Sequence, residues 1–160
     1  MDLSQIISIA GKSGLYRILN QSRGGVIVTS LTDGKKTAIG QTQRVSALSD
    51  ISVYTVEGDI LLEEILKRIH DQTGGEAVII DIKDDNVVRD FFTMVVPEHD
   101  EERVYHSDIR KIIKWYNNLL DKDMLDFSEE KAEGDDNTET PASDATEDSE
   151  NDTDGEKASE

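Results

Sequence analysis

Ile51-Ser52-Val53-Tyr54-Thr55-Val56-Glu57-Gly58-Asp59-Ile60-Leu61-Leu62-Glu63-Glu64-Ile65-Leu66-Lys67-Arg68-Ile69 is the stretch in which the apolar pattern of this chain changes period. Ile51 to Val56 reads as a short strand. After Gly58 the spacing becomes helical: Leu61, Leu62, Ile65, Leu66 and Ile69 fall on one face, with Asp59 as N-cap and Thr73-Gly74-Gly75 as the stop. A single switch from strand to helix patterning predicts an α+β body in two parts, residues 1–56 and 57–127.

N-terminal to the switch, the candidate strands are Leu15 to Leu19, Val26 to Leu31, Lys36 to Gly40 and Ile51 to Val56. Gly11 to Gly14, Arg23-Gly24-Gly25 and Asp33-Gly34 separate them, and Asp33-Gly34 has the composition of a tight hairpin because both residue types tolerate positive φ. Arg44 to Asp50 reads as a connector holding one helical turn. Four or five short strands in about 50 residues fit a small SH3-like or Sm-like β-barrel better than a sandwich of about seven.

C-terminal to the switch, Ala77 to Ile82 is a continuous apolar run, too short to separate a strand from a buried connector. A second helix begins near Asp85, turns Val88, Phe91, Phe92 and Val95 inward, and stops at Val96 before Pro97. The third helix has Ser107 as N-cap and Asp108 at the positive end of its dipole. Its core face is Ile109, Ile112, Ile113, Tyr116 and Leu120, and Arg110, Lys111 and Lys114 form the other face, bordered by Trp115 and Leu119.

The formal charge of −18 is unevenly distributed. Residues 1–56 carry 6 basic and 3 acidic groups, residues 57–127 carry 9 and 18, and residues 128–160 carry 2 and 14. The last segment holds no Val, Ile, Leu, Met, Phe, Tyr or Trp. It cannot bury enough apolar surface to offset an ordering cost of roughly 1–2 kcal/mol per residue, so a disordered acidic tail is expected. Without cysteine the chain has no disulfides, thiol nucleophile or thiolate zinc site. No apolar run approaches the roughly 18 residues of a membrane span, and residues 1–25 lack the order of a signal peptide, so a cytoplasmic location is expected.

Three blocks carry a family resemblance: Ile9-Ala10-Gly11-Lys12-Ser13-Gly14-Leu15-Tyr16, Val45 to Thr55, and above all Asp100-Glu101-Glu102-Arg103-Val104-Tyr105-His106-Ser107-Asp108-Ile109-Arg110-Lys111-Ile112-Ile113-Lys114-Trp115-Tyr116. Over roughly residues 3–125 the chain resembles an uncharacterised family of small cytoplasmic proteins from Bacteroidetes bacteria. The resemblance implies a two-part body and a bacterial cytoplasm, and it implies no activity.

Each chemical motif competes with a plainer reading. Gly11-Lys12-Ser13 ends like a phosphate loop, but Ile6 stands where that loop needs glycine, and a strand follows instead of a helix. His99, Asp100, Glu101, Glu102 and His106 have metal-ligand chemistry without a recognised spacing, so no metal site is expected. His106 and Ser107 supply letters of a hydrolase triad, yet adjacent side chains rarely face each other. Glu63-Glu64 and Asp84-Asp85 sit in exposed patterns. No catalytic constellation and no cofactor follow.

The remaining candidates are basic. Lys12, Arg17, Arg23, Lys35, Lys36 and Arg44 lie mostly in or beside turns, and Tyr16 and Tyr54 have rings on which bases stack. Arg110, Lys111, Lys114 and Trp115 form a basic helix face that fits an acidic partner. The preferred expectation is a non-catalytic interaction module of a bacterial cytoplasmic assembly, such as the transcription or translation machinery, with a protein partner and no membrane contact. The alternative is direct RNA or DNA binding by the first part, with the acidic tail tuning affinity. An enzyme with an unrecognised site is the third class, and the oligomeric state is left open.

Overall fold

Short turns that admit only small or left-handed residues break the first half of the chain into strands. The computed structural model describes residues 2–127, and the expectation of a disordered tail at 128–160 lies outside them. Among the described residues, β1 (Ile6–Ile9), β2 (Tyr16–Ser22), β3 (Gly25–Ser30), β4 (Lys36–Gly40) and β5 (Val45–Ala47) form one antiparallel sheet in the order β4-β3-β2-β1-β5. One 3-10 turn, Leu48–Asp50, leads to a separate hairpin of β6 (Ser52–Thr55) and β7 (Gly58–Leu61). Then follow α1 (Leu62–Thr73), α2 (Asp85–Val95) and α3 (His106–Asp121). The protein is α+β.

The expected barrel is not closed. The candidate strand Ile51 to Val56 does not join the sheet, because β6 pairs with β7 through the two-residue turn Val56-Glu57. β4 and the three-residue β5 therefore remain the two edges of an open sheet. β7 occupies the place read as a helix start, so Asp59 is a strand residue and α1 begins at Leu62 without a side-chain cap. Asp33-Gly34 also departs from the reading. It lies in a four-residue loop closed by the Ser30 N–H donating to the Lys35 carbonyl, with Gly34 at φ 69°.

The tightest backbone approach is at the β2–β3 hairpin, where Ser22 pairs with Gly25 across Arg23-Gly24. Gly25 has φ 148°, and a Cβ there would sit 2.1 Å from the Ile39 carbonyl oxygen of β4. Only glycine fits. One face of the sheet gathers Ile7, Ile9, Val28 and Ile39 into a small core, flanked by Tyr16, Ile18, Val26 and Ala47. In the opposite direction Ile6, with Leu3, Leu15 and Leu48, joins the main core of Val53, Leu62, Ile65, Leu66, Ile69 and the α2 and α3 stripes.

The helices follow their apolar periods. Asp84 accepts hydrogen bonds from the Asn86 and Val87 N–H groups and starts α2 where the sequence placed it. Gly74, at φ 65°, ends α1. α3 begins at His106 after Tyr105, without a side-chain cap, so Ser107 lies inside the first turn. Leu119 is fully buried and Leu120 only partly, the reverse of the reading, because the core stripe continues Ile112, Tyr116, Leu119 in steps of four and three. Arg68 ties α1 to the turn after α2 by pairing with Glu64 and Glu98, and its hydrogen bond holds the Glu98 carboxyl below its ordinary range.

Residues 76–83 form neither strand nor helix, and Ile79 is 92% exposed. α3 satisfies the backbone of this connector. The Asn117 amide accepts from the Val78 N–H at 2.8 Å and donates to the Val78 carbonyl at 3.0 Å. The Tyr116 hydroxyl donates to the Glu76 carbonyl at 3.1 Å and meets Thr73 Oγ1 at 2.9 Å, while burial raises its pKa. Arg110 donates to the Ile82 and Lys83 carbonyls and pairs with Asp85.

Two stability changes follow. Gly25→Ala is expected to lower unfolding free energy by about 2–3 kcal/mol, read as a shifted urea midpoint, because backbone and Cβ strain coincide there. Asn117→Ala removes both bonds to buried Val78 and is expected to cost about 2 kcal/mol, whereas an exposed control, Lys122→Ala, stays within about 0.5 kcal/mol.

Candidate functional site

Side chains on α3 that do not enter the core face the Gly11–Gly14 turn across an open cleft of ≈ 830 Å³. Gly11 (φ 80°) and Gly14 (φ 89°) let the chain turn back sharply between β1 and β2. The Lys12 N–H donates to the Ile9 carbonyl, leaving the Lys12 side chain exposed on the turn. The chain then enters β2, so the turn does not lead into a helix N-terminus as a phosphate loop does.

Opposite the turn, Lys111, Lys114, Trp115, Asn117 and Asn118 of α3 line the cleft, with Lys111, Lys114 and Asn118 at steps of three and four residues. Ser30, Thr32 and Asp33 close it from the β3–β4 side. Lys111 pairs with Asp108 at 3.5 Å, while Lys12 and Lys114 have no ion-pair partner among the described residues. Asp33 is the counter-charge on the rim. The Ser30 hydroxyl and then the Lys35 backbone N–H hold its carboxyl below the ordinary range, and Lys35 Nζ lies 3.4 Å from it. The cleft therefore presents three ammonium groups beside one indole, with a single lining carboxylate, Asp33.

Of the ten candidate residues, the structure brings Lys12, Lys111, Lys114 and Trp115 together. Arg110 leaves the same helix in another direction and holds the connector and the start of α2. Arg17 lies on β2 with its guanidinium against Met124 Sδ, Arg23 is in the β2–β3 turn, Lys35 is in the next loop, Lys36 begins edge strand β4, and Arg44 precedes β5. The sequence reading missed Ser30, Thr32, Asp33 and Asn118. Asn118 carried a signal, since it follows Lys111 by seven residues and Lys114 by four, and so continues the same helix face.

The other motifs resolve into local structure. His99 is buried, its Nδ1 2.7 Å from the Val96 carbonyl and its ring edge-on to Phe92. His106 meets the Arg89 guanidinium through its Nε2 at 2.8 Å. Among the described residues no three His, Asp or Glu side chains converge as a metal site would require, and no helix is long and apolar enough to cross a membrane.

An open antiparallel sheet carrying a three-helix layer, with a cationic cleft between its first turn and last helix, defines the class of protein. Residues 3–48 match the family described as Domain of unknown function (DUF5606), and residues 51–119 match Domain of unknown function (DUF6852). A solution NMR structure of a structural-genomics target from Bacteroides vulgatus is similar at 30% identity and a TM-score of 0.66, covering 87% of this chain and 100% of that one. The chain belongs to the family of that Bacteroides protein, in keeping with the resemblance read from its sequence. No curated protein matches it.

The division of labour along α3 is measurable. Arg110→Ala is expected to lower stability by about 1–2 kcal/mol in thermal or urea unfolding, because it leaves carbonyls and Asp85 without their partner. Lys114→Ala is expected to change stability by less than about 0.5 kcal/mol.

Proposed function

We propose that this protein is a non-catalytic interaction module of a cytoplasmic assembly, and that it holds a protein partner in the cleft between the Gly11–Gly14 turn and α3. The observation that carries the reading is the convergence of Lys12, Lys111, Lys114 and Trp115, from positions a hundred residues apart, on one open cleft. Lys12 and Lys114, which have no ion-pair partner among the described residues, stand beside a half-buried Trp115, and tryptophan is among the residue types enriched at interface hot spots. Assemblies that handle nucleic acid, such as the transcription or translation machinery, are where a partner-binding protein with a polyanionic segment at 128–160 would be useful, since that segment keeps it off phosphate.

A second reading has one observation in its favour: Tyr16 and Trp115 both line the cleft, and rings beside lysines suit single-stranded nucleic acid. It predicts binding that falls steeply with salt, rises when residues 128–160 are removed, and is lost in the Lys12→Glu, Lys114→Glu double variant.

The deciding experiment is a native pull-down with the full chain. A stoichiometric protein partner is expected, retained by Arg17→Ala and lost in Lys114→Glu and in Trp115→Ala. A full chain that elutes alone from gentle extracts, or a partner indifferent to both cleft variants, rejects the proposal.

A further inference from the structure

Trp115 and Lys111 line a second recess as well as the cleft. This recess, ≈ 190 Å³, lies toward the N-terminal half of α3, and the two share those walls. Ile51, Val53, Val104 and Ile112 form an apolar floor with Trp115, and Ser52, Arg103 and Asp108 stand among the other lining residues. Tyr54 stands at its side with the Arg103 guanidinium stacked 3.7 Å above the ring, which holds a 44%-exposed tyrosine in place.

From this arrangement we infer that the partner is recognised through a short acidic segment carrying one large apolar side chain, the apolar residue entering the small recess and the acids lying along the cationic cleft. The inference rests on the proposed role of the cleft and names the chemistry of what fills it.

Two physical points support this occupant. An apolar cavity of about 150 Å³ accommodates a benzene ring, so ≈ 190 Å³ fits a phenylalanine or leucine side chain and little more. Charge complementarity decides the remainder: Lys12 and Lys114 call for carboxylates, and both lie on the cleft side of Trp115. The groove runs along α3 from Asp108 to Asn118, roughly 15 Å at 1.5 Å per residue, which is about five residues of extended chain. The apolar residue and the acids therefore lie within one short segment.

Trp115 is the chain's one tryptophan, so its emission reports occupancy of either side directly. The test titrates the full chain at low salt with a capped six-residue peptide bearing one phenylalanine followed, two residues later, by three glutamates. A matched peptide has glycine for phenylalanine, and a single-stranded six-nucleotide RNA is titrated alongside. The phenylalanine peptide is expected to shift the emission and to bind at least about tenfold more tightly than the glycine peptide. Lys114→Glu, an exposed position, is expected to weaken it about tenfold or more. Equal binding of the two peptides overturns the apolar anchor while leaving the acidic-partner reading of the cleft intact. Failure of both peptides overturns that reading as well, and tighter binding of the RNA replaces both with a nucleic-acid site.

Discussion

Burial of one stripe of α3 is the constraint on which the rest of this structure depends. Ile109, Ile112, Ile113, Tyr116 and Leu119 close the core against α1, α2 and the underside of the sheet. The same helix must also satisfy the connector between α1 and α2, which has no ladder or helix of its own. Arg110, Tyr116 and Asn117 do so from one side, with hydrogen bonds to the backbone of residues 76–83. At buried Val78, peptide groups left without these partners would cost about 1–3 kcal/mol each. A helix so constrained on its core stripe and on one flank has one free flank left, and that flank carries Lys111, Lys114, Trp115 and Asn118.

The end of α3 shows the same economy. The Asp123 N–H donates to the Leu120 carbonyl and the Met124 N–H to the Leu119 carbonyl, with Asp123 at φ 51° in the place usually given to glycine. The chain turns back, and Met124, Leu125 and Phe127 pack on the main core, Phe127 edge-on to His70 at 5.1 Å. The acidic residues from 128 onward thus begin where the apolar sequence has been used up.

Functionally, the basic residues sort themselves by what surrounds them. Arginine, with its planar fork, is used for structure: Arg68 bridges two glutamates, Arg103 stacks on Tyr54, and Arg110 spans two carbonyls and a carboxylate. Lysines populate the cleft. A strongly hydrated ammonium on a flexible stem is inexpensive to leave exposed and ready to meet a partner's carboxylate. This division gives the cleft its character as a docking surface in the proposed reading.

Most of the secondary structure was legible in the residues, because it depends on local rules. The period switch near Gly58, the helix start near Asp85, Gly74 as a stop and Pro97 as a barrier each act within one or two turns of chain. The class of fold followed from them. The main error fell where two local patterns compete for the same residues. Asp59 has the letters of a cap, but Ile60 and its neighbours find a strand partner in β6, and that pairing both delays α1 and keeps the sheet open. Of the site, Lys12 and the α3 face were each visible alone, as an ordinary glycine turn and an ordinary wet helix flank. Their meeting was not. Sequence alone determined which residues are apolar at which spacing, and hence the helices, most strands and the charge asymmetry. Tertiary structure decided which polar face stays free, because only packing consumes Arg110 on the connector and leaves Lys111, Lys114 and Trp115 opposite a turn a hundred residues away.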